Sequence, residues 1–252
     1  MYKISDGTEF VGKGLFFLPI CHSTNDIAAE LYEKGLVLPG TVIITDHQLS
    51  GKGQRGNRWE SAPGQNLTFS LILAPDFLKA EQGFYLNIVT SLALTDLLLD
   101  LGDLFSIKWP NDLYFREKKI GGILIENSIL SGKISNTLIG IGLNVNQTHF
   151  PGIGNAISLK QIFAKSFDLN DILNTLLQCL DNRWRALYRN QYENLKSDYL
   201  NRLFGYQKML KFRVGDRIIK GFLVGIDPVG RLVVRMEGEE KKFNFQEIKF
   251  LI

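Results

Sequence analysis

Two stretches of the chain hold side chains that could handle an anion. The first, SGKGQRGNRW at residues 50–59, sets Gly51, Gly53 and Gly56 in a G-x-G-x-x-G pattern with Lys52, Arg55 and Arg58 among them. Glycines leave backbone N–H groups open to a ligand, the cations supply charge, and Trp59 adds a flat apolar wall. Together they suit an anion that carries an aromatic or apolar body. The second, KWPND at 108–112, is followed by Lys118-Lys119-Ile120-Gly121-Gly122. Here the proline holds Trp109 extended, Asn111 and Asp112 enter a strand, and paired glycines in an apolar run mark a bulge or a close approach to a ligand. By residue type alone each has a plainer account: Trp59 and Trp109 as core side chains, Lys118 as a surface lysine, the glycine loop as a basic hairpin.

The easy readings of the glycine pattern fail on context. A dinucleotide fingerprint needs a helix straight after its last glycine, so that the helix amino terminus meets the pyrophosphate. Gly56 is instead followed by NRWESAPG, in which Pro63 and Gly64 break any helix. Asp76 stands about 20 residues after Gly56, as the fingerprint asks, but without the crossover helix it has no ribose to meet. The P-loop spacing is absent, and a protein-kinase reading lacks both HRD and DFG.

The elements that must position these residues follow from patterning. Ser23 with Asp26 reads as a capping box before IAAELYEKG, ended by Gly35. TVIIT (41–45) reads as a buried strand and NLTFSLIL (66–73) as an alternating one. Apolar residues at three- and four-residue spacing predict a core helix from Phe84 to Leu101. Strands are expected at 105–109, 112–115, 120–127 and 134–143, with Ser131-Gly132-Lys133 as a hairpin turn. One long amphipathic helical stretch is expected from Asn170 to Tyr199. From Lys208 the chain turns to short strands split by Gly, Asp and Pro, which reads as a small all-β barrel with a boundary near 205.

Bulk properties narrow the class. The 252 residues are 45% hydrophobic and 22% charged, as in ordinary globular proteins. A net charge of +3 is far from the Lys/Arg density of a nucleic-acid binder. Cys21 and Cys179 lack any CxxC or His cluster, which argues against metal and disulfide frameworks and fits a reducing cytoplasm. MYKISDGTEF has no signal-peptide core, and the apolar stretches are broken by Asp, Gly or Lys before membrane-spanning length. No membrane association is expected.

Several motifs, in order, resemble one family, the biotin–protein ligases. Ser23-Thr24-Asn25 is similar to the family's STN element, and Gln48 with GKGQRGNRW to its glycine-rich loop. KWPND with Lys119-Ile120-Gly121-Gly122-Ile123-Leu124-Ile125-Glu126 resembles its central signature. Gly140-Ile141-Gly142-Leu143-Asn144-Val145-Asn146 resembles its GIGINV-like strand end. VGID and GRLVV in the tail look like its SH3-like barrel. The resemblance spans nearly the whole chain.

It implies an α/β (α+β) fold like the class II aminoacyl-tRNA synthetase core, a mixed, largely antiparallel sheet with helices, plus a small C-terminal SH3-like β-barrel. The domains would be a catalytic unit at 1–205 and the barrel at 206–252. It implies activation of biotin by ATP to biotinyl-5′-AMP, with Mg2+, and transfer to a lysine of a biotin carboxyl carrier protein or domain. Carboxylate and triphosphate repel each other, so cations must bring them together. By the resemblance Lys119 reaches both the biotin carboxylate and the α-phosphate. Lys52 lies near the adenylate phosphate, and Asp112 positions the incoming lysine or a metal. Biotin would be held by Ser23, Thr24, Asn25, Gln48, Gly51, Lys52, Gly53, Gln54, Lys119 and Gly122. The nucleotide would meet Lys52, Arg55, Trp59, Asn111, Lys119 and Asn144. The family admits a homodimer.

The loop departs from the family's usual GRGRxGR by carrying Lys52, Gln54 and Asn57 in place of arginines. Lysine is a point charge where arginine grips phosphate bidentately, and Gln54 removes a cation, so the adenylate should be held more loosely. The residues before Ser23 are too few for the helix-turn-helix domain of repressor-type members, so no DNA binding is expected. A lipoate–protein ligase is the nearest alternative. A partner-binding module that has kept the fold is the second.

Overall fold

In the computed structural model, which describes residues 2–99, 101–152 and 154–251 (Arg55 by its backbone only), the β-branched run Thr41-Val-Ile-Ile-Thr forms the start of β2 (Thr41–Gln48). It lies inside a seven-stranded sheet of order β1-β2-β3-β7-β6-β5-β4. The other strands are β1 (Gly14–Cys21), β3 (Leu67–Leu73), β4 (Phe105–Lys108), β5 (Asp112–Phe115), β6 (Lys118–Leu130) and β7 (Lys133–Leu143). Only β1 and β2 pair in parallel, and the remaining neighbours are antiparallel. This is the mixed, largely antiparallel sheet that the resemblance implies.

Both faces of the sheet are covered, which corrects the alternation expected for 66–73. Leu67, Phe69, Leu71 and Leu73 enter the main core, whereas Ile72 joins Ile43, Leu138 and Ala28 beneath α1 (Thr24–Glu33). Every residue of β3 is therefore buried. On the main-core face lies α2 (Phe84–Leu99), apolar all round because it packs on the sheet and on two further helices. The 20 residues Ala80–Leu99 are long and apolar enough to cross a membrane, contrary to the sequence expectation, but they are largely buried within the fold.

After the short α3 (Leu159–Phe163), the helical stretch expected at 170–199 is two helices. They are α4 (Leu169–Tyr188) and α5 (Tyr192–Arg202), broken where Asn190 takes φ 57°. Arg183 of α4 grips Asp96 of α2 with two bonds (2.7 and 2.8 Å) and Asp198 of α5 with a third (2.5 Å), tying the three helices together. Ser23 precedes α1 but makes no side-chain cap bond, so the expected capping box is absent.

The tail forms a five-stranded antiparallel sheet of order β11-β10-β9-β8-β12. Its strands are β8 (Met209–Val214), β9 (Arg217–Ile226), β10 (Leu232–Met236), β11 (Glu239–Phe243) and β12 (Lys249–Phe250). Trp109 joins it to the first sheet: the ring is buried and its Nε1–H donates to Gly230 O at 2.8 Å. The Trp109–Pro110 peptide is cis.

Candidate active site

The site grows from a sheet face stripped of side chains. Along β7, Ile139, Ile141 and Leu143 enter the main core, so Gly140 and Gly142 face the other way. Neither position has room for a Cβ. One at Gly140 would fall 2.6 Å from Asn25 Oδ1, and one at Gly142 would fall 2.3 Å from the Trp59 ring. The paired strand β6 sets Gly122 beside Gly142, and β5 sets Asp112 beside Gly122. The result is a trough floored by backbone and walled by α1, the glycine loop and the β5–β6 ladder.

At the α1 end the polar groups are locked together. Thr24 donates to Gln48 Oε1 from its backbone N–H (2.7 Å) and its hydroxyl (3.1 Å). Ser70 Oγ on β3 lies 2.7 Å from Thr24 Oγ1 and 2.5 Å from Asn25 Oδ1. Asn25 Nδ2 donates to Glu126 Oε2 at 2.6 Å. Ser23, Thr24, Asn25 and Ser70 are all at most 3% exposed, so ordering these groups is already done before any ligand arrives. A ring bearing both N–H donors and a carbonyl acceptor matches such a mixed set.

At the other end Lys119 Nζ pairs with Asp112 Oδ1 at 2.7 Å. The strand is irregular here, for the register slips between Leu113 and Tyr114, leaving Ile120 as the extra residue beside Lys119. The bulge that the paired glycines predict is thus next to the lysine. Behind it, Lys108 reaches Tyr114 Oη at 3.2 Å. Burial draws the Lys108 ammonium below its usual range, and burial with the nearby Asp112 charge pushes the Tyr114 hydroxyl up to about 12. Asn111 is buried and donates its amide to Ile123 O, pinning β5 to β6.

The glycine loop closes the trough as a small hairpin. Trp59 N–H donates to Gly51 O (2.9 Å), Gly53 N–H to Asn57 O (2.7 Å), and Lys52 bridges Arg58. A single 3-10 turn, Gln54–Gly56, takes the place of a helix. Lys52 makes an ion pair with Asp26 on α1, and this bond raises the lysine pKa. With the loop in place the cavity holds about 110 Å³.

Of the residues named from sequence, Ser23, Thr24, Asn25, Gln48, Lys52, Gly53, Gln54, Trp59, Asn111, Asp112, Lys119 and Gly122 line this one cavity. Gly51 sits just behind it, packed on Trp59 O and Gln48 Nε2. Asn144 lies outside the lining, and its amide donates to Ile157 O at 3.2 Å. The side chain of Arg55 lies outside the described residues. Sequence reasoning missed Ser70, Glu126 and Thr68. Thr68 Oγ1 and Trp59 Nε1 are buried polar atoms without a hydrogen-bond partner among the described residues, which suits groups that meet a ligand. Ser70 and Thr68 carried a signal of sorts: polar residues at alternate positions of an otherwise apolar strand.

Residues 17–144 match the model of the biotin/lipoate A/B protein ligase family. The chain is 28% identical over 247 residues to the bifunctional ligase/repressor BirA of Bacillus subtilis (strain 168), covering 96% of this chain and 75% of that one. It is 27% identical over 235 residues to the biotin–[acetyl-CoA-carboxylase] ligase of Mycobacterium tuberculosis, covering 90% and 86%. Among solved structures, biotin protein ligase from Aquifex aeolicus in complex with biotin and ATP superposes with a TM-score of 0.79 at 29% identity, covering 95% of this chain and 99% of that one. The matched segment runs from β1 through the glycine loop and the Lys119–Asp112 pair to the end of β7, and the chain belongs to the biotin/lipoate A/B protein ligase family.

Proposed function

We propose that the protein is a biotin–protein ligase that joins biotin to ATP as biotinyl-5′-AMP and passes the biotinyl group to a lysine of a carrier domain. The observation that carries this reading is one trough with a buried hydrogen-bonding end and a lysine at the other. Ser23, Thr24, Asn25 and Gln48 form the first and Lys119 stands at the second, while Lys52 of the glycine loop lines the same cavity from its pairing with Asp26. Biotin is such a molecule: a urea ring at one end and a carboxylate at the other.

In the first step a carboxylate oxygen attacks the α-phosphorus and pyrophosphate leaves. Lys119 screens the repulsion between the two anions, and Asp112 holds its ammonium in place. In the second step the carrier amine attacks the acyl carbon, loses a proton and expels AMP. We assign Asp112 to positioning that amine, and Trp59 and Asn111 to the nucleotide side. Asn144 reaches the nucleotide only if its amide leaves Ile157 O.

Magnesium accompanies ATP in this reading and would offset phosphate charge. The described residues hold no cluster of three His, Cys, Asp or Glu side chains. Asp112 would be the carboxylate at hand for such an ion. We read 206–252 as a small SH3-like domain attached to a catalytic unit at 1–205, and place the protein in the cytoplasm.

The test is pyrophosphate release from ATP with biotin, with lipoate, or with neither. Release that depends on biotin and is lost in Lys119→Ala supports the reading. Release with lipoate alone would reassign the enzyme to lipoate.

A further inference from the structure

Each lysine of the trough carries an acid partner, but the two partners stand differently. Asp112, on Lys119, lines the cavity; Asp26, on Lys52, does not. Asp26 lies one residue beyond the buried Asn25, in the first turn of α1, where the helix amino terminus favours a carboxylate. Its second oxygen lies 3.7 Å from His22 Nε2. The Asp26–Lys52 bond therefore draws the ammonium of the glycine loop toward the rim of the trough.

We propose that Asp26 is a built-in counter-anion for Lys52 that competes with the phosphate of a bound acyl-adenylate and so quickens its release. The inference rests on the ligase reading above and makes Asp26 a positioning residue acting through Lys52.

The chemistry of lysine is what makes the competition effective. An ammonium is a compact point charge, whereas a guanidinium can present separate edges to two anions. Lys52 must divide itself between Asp26 and a phosphate. Any anion at Lys52 also enters the field of two negative groups, because Asp26 and, more weakly, Glu126 both act on that ammonium. Gln54, also lining the cavity, adds no charge to offset them. Removing the Asp26 charge frees Lys52 and removes repulsion, and both effects strengthen the hold on the phosphate.

The experiment forms biotinyl-5′-AMP on the enzyme from biotin and MgATP, removes free substrates, and times the escape of the adenylate without acceptor. Asp26→Asn should slow escape about two- to five-fold, the range of a partly exposed ion pair. Asp26→Glu, which keeps the charge, should stay near wild type. In a Lys52→Ala background Asp26→Asn should have a clearly smaller effect, because only the relief of repulsion is left. Slower escape is a gain of affinity, which a merely damaged loop would not produce. Escape from Asp26→Asn at the wild-type rate or faster overturns the proposal, as does an equal slowing without Lys52. Wild-type enzyme that makes no biotinyl-5′-AMP would overturn the ligase reading itself, and this inference with it.

Discussion

The indole of Trp59 rests directly on the backbone of Gly142, so closely that a Cβ there would fall 2.3 Å from the ring. A residue at the end of the glycine loop is thereby seated on the floor of the trough, two strands away from where the loop begins. The glycines of the Gly140-Ile141-Gly142 run owe their identity to this seat and to that of Asn25. They do so through space, not through φ.

Gly142→Ala should therefore unseat Trp59. We expect a loss of roughly 1–3 kcal/mol of stability from the overpacked strand, together with weaker nucleotide binding. Thermal unfolding and ATP titration check this. In a Trp59→Ala background the stability cost should shrink, because the clashing ring is gone.

Ser70→Ala removes the hydroxyl that links Thr24 to Asn25 while leaving the Lys119–Asp112 pair intact. One such bond contributes about 0.5–1.5 kcal/mol. The KM for biotin should rise several-fold with kcat little changed, and Ser70→Thr should restore part of the loss. An equal fall in kcat would place Ser70 at the reacting end instead.

These two cases mark what the sequence could disclose. Motifs with fixed spacing, such as SGKGQRGNRW and KWPND, named twelve of the residues that line the cavity. The roles of Ser70 and Glu126 were not legible because they depend on strand register: β3 meets α1 across the sheet, and β6 carries Glu126 to Asn25. Strand β1 was missed because Pro19 interrupts it. As the edge strand it tolerates a residue without an N–H, and only the structure reveals that it is an edge. The alternation expected in β3 failed for a related reason, since a sheet covered on both faces buries both sets of residues.

Asp112→Asn should leave Lys119 without its counter-charge and loosen its position. Pyrophosphate release should fall by at least about ten-fold, with adenylate binding less affected, since charge placement at the reacting centre outweighs ground-state binding. Single-turnover measurement of each step separates the two.

Tyr114 should stay protonated well past the usual tyrosine range, ionising near 12. Its folded value lies above the unfolded one of about 10, so the folded state holds the proton between those limits. The stability it contributes is full below about pH 10 and falls by at most ~1.4 kcal/mol per pH unit as pH rises toward 12. Ultraviolet titration of wild type against Tyr114→Phe should show the missing high-pH step.

The central claim is that the trough holds biotin and delivers it to protein. The most direct measurement is the intact mass of an apo biotin carboxyl carrier domain after incubation with the protein, ATP and magnesium, plus either biotin or lipoate. The account predicts the mass of one biotinyl group gained with biotin, none with lipoate, and none with Lys119→Ala. Gain with lipoate alone, or an unchanged mass with both, would contradict it.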